Sequence, residues 1–239
     1  TSGVRKAETN FIVGKDILFS AETKAIDLKG LGNGRTVADI KVGEISLGNT
    51  PFALTIPDTF KDDLALHGKR AVTVTFDDGT AVDIGVTFVT AGISTVSEFI
   101  AAVQITNDNI GTAKYGYYVL KNNIEFGTNV SGANPGEVAK GPDLGFRGTL
   151  DGKGNTLSTI GEAKVYNGGF FGILGKGAVV KNVNFNVTMA GAQGLIAHQG
   201  QAATIDNVTI DFITVPTQAR GGAMVGLFGG DINRRDRKS

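Results

Sequence analysis

A segment in the C-terminal half of the chain is written twice, at a spacing of 25 residues. Four apolar positions recur with this offset: Val180, Val183, Phe185 and Val187 return as Ile205, Val208, Ile210 and Phe212. Self-similarity at a short fixed period is typical of solenoids, in which each repeat stacks on the one before it. A repeat of this length suits one coil of a parallel β-helix. The sequence therefore predicts that each of these residues lies beside its counterpart in the next coil.

The same repeat predicts which side chains face the core. Alternation along a strand turns Val183, Phe185 and Val187 one way and Asn184 and Asn186 the other. The turn residue Asn182 recurs as Asn207, at the same offset as the apolar positions. We expect the two asparagines to mark the same bend in adjacent coils, with their amides hydrogen-bonded along the stack.

Composition limits the classes of partner and bond. The 239 residues include 35 Gly, 5 Pro and no Cys, which indicates a turn-rich all-β chain without disulfides or thiolate metal sites. Lys and Arg total 23, as do Asp and Glu, so no net charge steers the chain to nucleic acid or an anionic membrane. No apolar run reaches the roughly 20 residues of a membrane span. We expect no nucleic-acid partner and no membrane insertion, and the start at Thr1 without Met indicates a piece of a longer polypeptide.

Residues 1–92 are predicted to form a β-sandwich. Short β-type runs at 11–19, 36–47 and 52–56 are bounded by Gly, Asn or Pro. Residues 72–76 and 82–88 alternate on either side of Asp77-Asp78-Gly79, which predicts a hairpin with an Asp-Gly turn. Just before the hairpin, Phe60 and Leu64 have helical spacing and predict one helical turn.

Residues 54–89 carry a family resemblance. Their sequence, LTIPDTFKDDLALHGKRAVTVTFDDGTAVDIGVTFV, resembles the C-terminal half of small immunoglobulin-like modules, those of the X2 type among others. Such modules lie between the larger domains of bacterial secreted and cell-surface proteins. The resemblance implies that residues 1–92 are an immunoglobulin-like sandwich that acts as a spacer.

A short amphipathic helix is predicted at about residues 94–104. Ser94 offers an N-cap, and one face collects Val96, Phe99, Ile100 and Val103. A β-helix exposes the apolar end of its first coil and needs a cap there, so the helix is predicted to plug that end. Membrane or partner binding by the apolar face is the alternative, although a helix this short without a basic face holds a membrane poorly.

The remaining residues also resemble a known repeat family. The segments YYVLKNNIEF, FRGTLDGKGNTL, GGFFGILGKGAVVKNVNF and GLIAHQGQAATIDNVTI look like the GLUG-type and related β-helix repeats of bacterial adhesins and surface proteins. The resemblance covers about residues 93–229 and implies a right-handed parallel β-helix over 93–239. The pattern weakens at 194–200 and ends at Gly226-Leu-Phe-Gly, which no strand is expected to follow. This ending predicts truncation in mid-coil.

Few residues suggest chemistry. His67 and His198 are far apart in the sequence and are predicted to be turn residues rather than a metal or catalytic pair. The acidic residues of the repeat region share no phase, except that Asp211 falls opposite Asn186; these are Asp143, Asp151, Glu162, Asp206 and Asp211. Residues 151–155, DGKGN, can be compared with a calcium loop but lack its alternating carboxylates and closing Glu. A tight glycine turn explains them, and a weak calcium site near Asp151 stays open. We predict no catalytic residue, no metal and no cofactor, and we assign no binding residue.

Two functional hypotheses follow from these residues and resemblances. The first is a non-catalytic segment of a bacterial secreted or cell-surface protein, extracellular or on the cell surface. Its role is adhesion, display or binding to host or matrix glycans or proteins. The alternative is a fragment of a β-helix carbohydrate-active enzyme, a polysaccharide lyase or hydrolase. A cluster of ionisable side chains on one outward face of the stack separates the two, and the sequence shows none. The tail at 231–239, in which four of nine residues are basic, is expected to protect an open strand edge, with weak anion binding as the alternative.

Overall fold

A computed structural model describes residues 16–18, 26, 32–51, 53–134, 143–190, 194–214 and 225–233, with the backbone alone at 16–18 and 225–233. The chain is all-β with few helices. It divides into two compact units, Thr1–Ala91 and Gly92–Ser239. Residues 135–142 and residues 234–239 of the basic tail lie outside the described residues.

The described residues of the first unit form a mixed sheet of five strands. The strands are β1 (Asp16–Leu18), β2 (Val37–Val42), β3 (Ile45–Ser46), β4 (Gly68–Phe76) and β5 (Ala81–Val89), in the spatial order β1-β5-β4-β2-β3. Strand β1 runs parallel to β5, and the other pairs are antiparallel. Between β3 and β4 lie helix α1 (Asp58–Asp62) and a 3-10 turn (Leu64–Leu66).

The predicted hairpin of this unit is confirmed. Val72 pairs with Ile84 and Val74 with Val82 across the turn, where Gly79 has a φ of 79°. A left-handed backbone of this kind favours glycine. Phe60 of α1 is buried, and its ring lies 5.1 Å from that of Phe88. The described residues form one sheet, so the immunoglobulin-like sandwich stays a prediction.

The second unit is a β-solenoid of about four turns. Its strands are β6 (Ala91–Ile93), β7 (Ala113–Lys114), β8 (Tyr117–Leu120), β9 (Ile124–Phe126), β10 (Gly145–Phe146), β11 (Thr149–Asp151), β12 (Thr156–Thr159), β13 (Ile173–Leu174), β14 (Val179–Lys181), β15 (Asn184–Thr188), β16 (Ala197–Asp206), β17 (Thr209–Thr214) and β18 (Val225–Asn233). A helix, α2 (Val96–Val103), and a 3-10 turn (Asn107–Asn109) lie before the first coil.

Each coil contributes strand segments to three faces. The first face stacks β7, β10, β13 and the start of β16, and the second stacks β6, β8, β11, β14 and the end of β16. The third face stacks β9, β12, β15 and β17. In the described residues, the pairings between coils are parallel, and β18 adds a further rung beside β16. Alternate residues of these strands fill one continuous apolar core.

The predicted 25-residue register is confirmed. Val180 pairs with Ile205, Phe185 with Ile210, and Val187 with Phe212. The first members of these pairs are buried, as is Ile205, whereas Ile210 and Phe212 of the last third-face strand are partly buried. The handedness of the coil stays a prediction.

Helix α2 starts one residue later than the predicted cap. Thr95, not Ser94, is the N-cap: its hydroxyl accepts the Glu98 N–H, while the Glu98 carboxylate accepts the backbone N–H groups of Ser94 and Thr95. This reciprocal capping box requires Glu or Gln three residues after the cap, and only Thr95 has Glu98 at that distance.

The helix packs on the core mainly through Phe99 and Val103, both fully buried. Phe99 makes edge-on contacts with the rings of Phe126, Phe170 and Phe171, with centroids 5.7, 6.0 and 5.7 Å away. Ile100 was predicted to face the core but is 38% exposed. Since α2 contacts β9, the outermost strand of the third face, it lies at the first-coil end of the stack.

The glycine-rich end of the chain differs from the prediction. Gly226-Leu-Phe-Gly is not a terminal element, because it lies inside β18, which continues to Asn233. Pairing with β16 extends on both sides of a register shift, from Ala197 opposite Val225 to Asp206 opposite Asn233. Pairing with the neighbouring coil therefore stabilises this strand, and the local glycine pattern does not indicate that pairing.

Candidate functional site

Asp151 is the centre of a charged cluster on the second face. Its side chain is only 5% exposed. One carboxylate oxygen accepts hydrogen bonds from the Asn182 amide and the Lys153 backbone N–H, both at 3.0 Å. The other accepts the Tyr117 hydroxyl at 3.2 Å and lies 3.5 Å from the Lys153 ammonium and 3.8 Å from that of Lys181. A buried carboxylate needs partners of this kind, and both oxygens have them.

These contacts keep Asp151 ionised. Burial by itself raises the pKa of Asp151, but the hydrogen bonds from Asn182 and the Lys153 N–H oppose it. The ammonium groups of Lys153 and Lys181 act in the same direction, and the net result is a pKa below the ordinary value. Two cations already neutralise this carboxylate, which is a poor environment for a calcium ligand. Among the described residues, no group of three or more His, Asp or Glu could hold a metal ion.

The acidic residues of the second face do share a phase, contrary to the sequence prediction. Asp151 pairs with Lys181, and Lys181 pairs with Asp206, so the three lie on adjacent rungs. We call Asp151, Lys181 and Asp206 the charged row. The prediction was wrong because it used a 25-residue offset throughout, whereas the offset from Asp151 to Lys181 is 30 residues. An insertion between these coils hides the alignment.

A ladder of asparagines lines the corner next to this row. The Asn207 amide donates to the Asn182 side-chain oxygen at 2.8 Å, and the Asn182 amide in turn donates to Asp151. Asn182 and Asn207 have φ of 53° and 51°, a backbone that asparagine tolerates better than most residues. The predicted contact between these two asparagines is confirmed. Asn155 and Asn184 extend the corner by donating to the carbonyls of Leu120 and Gly154.

The third face presents a second, different surface. Glu125, Ser158, Asn186 and Asp211 occupy matching positions on four successive rungs. Their side chains point outward, because the residues next to them along each strand point into the core. We call this set the polar row. Thr156, Asn184 and Thr209 form a parallel row two residues earlier along the strands.

The two surfaces differ in how their polar groups are used. The side chains of Asp151, Asn182 and Asn207 are hydrogen-bonded in series, from Asn207 to Asn182 to Asp151. Within the part of the chain that the structure describes, no side-chain hydrogen bond or ion pair uses Glu125, Ser158, Asn186 or Asp211. The four third-face strands contain no Lys or Arg. The polar row therefore offers free hydroxyl, amide and carboxylate groups, and the strands that carry it hold no cation.

Two exposed isoleucines lie at the end of this surface. Ile160 follows β12 directly and is 45% exposed, and Ile213, at a register shift in β17, is 58% exposed. The other large apolar side chains found exposed in the described residues are Ile100 and Tyr166. The third face thus has small apolar contacts at its edge and no broad apolar patch.

The sequence predicted that both histidines are turn residues, which is wrong for His198. His67 follows the 3-10 turn but is buried, with its ring nitrogens bonded to the Thr90 hydroxyl and the Phe60 carbonyl. His198 lies within β16, is 6% exposed, and its Nδ1 has no hydrogen-bond partner in the described residues. Desolvation by burial lowers the pKa of both. They belong to different units, and neither joins the surfaces described above.

Comparison with known proteins gives one similarity. No protein-family model matches the chain, and no solved structure matches it. The chain is similar to Halomucin of Haloquadratum walsbyi. The two are 27% identical over 225 residues, covering 85% of this chain. The chain spans 2% of the length of Halomucin, a cell-surface protein. No helix in the described residues is long and apolar enough to cross a membrane.

Proposed function

We propose that this chain is a non-catalytic segment of a secreted or cell-surface protein that binds glycan or protein. The β-solenoid and the similarity to a surface protein support this role. In the same proposal, the first unit is an immunoglobulin-like spacer and the second a GLUG-type adhesin repeat array. An extracellular location is compatible with both findings.

The observation that carries the proposal is the contrast between the two outward surfaces. In the charged row, Asp151 is enclosed and its oxygens are used by neighbouring side chains. A fully bonded carboxylate stabilises the stack and is not free to move a proton. On the third face, Glu125, Asn186 and Asp211 are exposed and Ser158 is half-buried, and none of their side chains has an internal partner among the described residues. Unused donors and acceptors on a rigid scaffold are what a binding surface requires.

A screen of the full chain on glycan and protein arrays tests this proposal. We expect reproducible retention of at least one glycan or protein class, with no change in the retained molecule after incubation. Absence of binding to every glycan and protein presented would contradict the binding role.

The charged row favours one alternative, a fragment of a polysaccharide lyase or hydrolase. β-Helix enzymes need ionisable groups on one outward face, and Asp151, Lys181 and Asp206 provide such a line. A turnover assay on pectin and other uronic-acid polymers tests it, with Lys181→Met and Asp206→Asn as variants. We expect no product from the wild-type chain. Product formation that both substitutions abolish would replace the binding role with catalysis.

A further inference from the structure

We propose that the outward surface of the third face binds a neutral linear polysaccharide that lies along the stack, across the rungs. This inference rests on the proposed binding function and names its ligand class and site. The site consists of the polar row, Glu125, Ser158, Asn186 and Asp211, with the parallel row of Thr156, Asn184 and Thr209 beside it.

The geometry of the rows suits a polymer with a short repeat. Adjacent strands are about 4.8 Å apart, so the four rungs from Glu125 to Asp211 span about 14 Å. Outward residues along one strand are about 6.7 Å apart. An extended β-linked hexose chain advances by a distance similar to the rung spacing for each sugar. Successive sugars laid along the stack therefore meet a polar side chain at each rung.

The chemistry of the rows favours neutral sugars over polyanions. Hydroxyl and amide side chains both donate and accept hydrogen bonds, as sugar hydroxyls do. The charged members of the row, Glu125 and Asp211, are both acidic, and the strands carry no cation to pair with a uronate or sulfate. A polyanion along this face would lie beside two carboxylates without compensation, which is unfavourable.

The apolar content of the face favours a glycan over a protein partner. Protein interfaces have a desolvated core rich in aromatic and apolar side chains. Here the large apolar side chains are Ile160 and Ile213, at the edge of the rows. They offer contact to the apolar faces of sugar rings but do not form a continuous patch.

The internal hydrogen bonds separate the polar row from ordinary structural polar residues. Asn155, Asn182 and Asn207, at the neighbouring corner, each donate to a backbone or side-chain acceptor within the stack. In the described structure, Asn186 donates to none. The fold therefore does not require Asn186 for its own stability, which leaves that amide available to a ligand.

Affinity electrophoresis of the full chain in gels containing a soluble polymer tests the site. The probes are hydroxyethyl cellulose and glucomannan as neutral polymers and polygalacturonate as a polyanion. Asn186→Arg places a bulky cation at the centre of the row, and Asn49→Arg makes the same change on an exposed turn of the first unit. Ser158→Ala removes one hydroxyl. Circular dichroism and thermal unfolding confirm that each variant is folded.

We expect retention by a neutral polymer, at least tenfold weaker for Asn186→Arg and unchanged for Asn49→Arg. Ser158→Ala should weaken it about threefold to tenfold, which corresponds to one net hydrogen bond. Equal retention of wild type and Asn186→Arg would overturn the site, as would retention by polygalacturonate alone. If no neutral polymer retains the chain but an arrayed protein does, this inference fails and the proposed function stands. If nothing binds, both fail.

Discussion

Replacing Asp151 with alanine should destabilise the solenoid by about 3 kcal/mol. The carboxylate accepts three hydrogen bonds, from Tyr117, Asn182 and the Lys153 N–H, which contribute about 1 kcal/mol each. The two ammonium groups add little, because both are partly exposed and solvent screens such ion pairs. The hydrogen-bond contributions are net of the cost of removing the carboxylate from water. For a unit of this size, the loss corresponds to a decrease of about 9 °C in Tm.

Calorimetry of the full chain measures this change in the transition that belongs to the solenoid. Asp211→Ala is the matched control, because it removes an aspartate from an exposed position of the same unit without internal partners. The control should change stability by less than about 0.5 kcal/mol. Equal effects of the two substitutions would refute the assignment of Asp151 as the centre of the cluster.

The pH dependence gives a second test of the same reasoning. Since the folded-state pKa of Asp151 lies below the unfolded value, its ionic contribution is fully present above about pH 4. This contribution is lost as the pH falls through the folded-state pKa. The stability difference between wild type and Asp151→Ala should therefore be constant from pH 7 to about 5 and should narrow below about 4. If the stability difference between wild type and Asp151→Ala widened as the pH fell, the ionised state of Asp151 would be contradicted.

Three further predictions concern the half-buried Asn182 and Lys114 and the buried His198. Asn182→Val should reduce the free energy of unfolding by about 3 kcal/mol, because a β-branched residue is strained in a left-handed backbone and the hydrogen bonds of the amide are lost. Urea unfolding should show a smaller loss of stability for Asn182→Gly. Equal losses for the two variants would refute the argument from backbone strain. Lys114→Met should reduce the free energy of unfolding by about 2 kcal/mol. The ammonium donates hydrogen bonds to three carbonyls at the end of α2, those of Ile100, Ala101 and Gln104. The control Lys176→Met, at an exposed position, should unfold like wild type. Burial lowers the pKa of His198, so on acidification the unfolded state binds the proton before the folded state does, and stability should fall as the pH drops below about 6.5. Between pH 7.5 and 5.5, the urea midpoint of His198→Leu should depend less on pH than that of wild type. An equal pH dependence of the two proteins would contradict this role.

The sequence predicted the fold best where the repeat is uninterrupted. From Val180 to Phe212 the offset is constant, and the pairing of Phe185 with Ile210 follows directly. Earlier coils have different offsets: Leu150 pairs with Tyr118, 32 positions before it, and with Val180, 30 positions after it. Insertions at the corners change the period, so self-similarity alone does not align these rungs.

The candidate surfaces were only partly predictable for the same reason. The 25-residue repeat predicts that Asn186 lies opposite Asp211, and this pairing places both residues in the polar row. The charged row requires the true alignment of Asp151 with Lys181, which no local pattern shows. The burial of His198 also depends on packing between coils. By contrast, Thr95-x-x-Glu98 is a capping-box signal that was present in the sequence and points to the correct N-cap.

Hydroxyl-radical footprinting tests most directly whether the third face is the binding surface. The full chain is labelled with and without the polymer that retains it most strongly, and side-chain oxidation is read by mass spectrometry. Ile160 and Ile213 border the polar row and are exposed, whereas Ile100 on α2 serves as an internal reference. We predict that the polymer protects Ile160 and Ile213 and leaves Ile100 unchanged. Unchanged oxidation of Ile160 and Ile213, with protection elsewhere on the chain, would contradict the account.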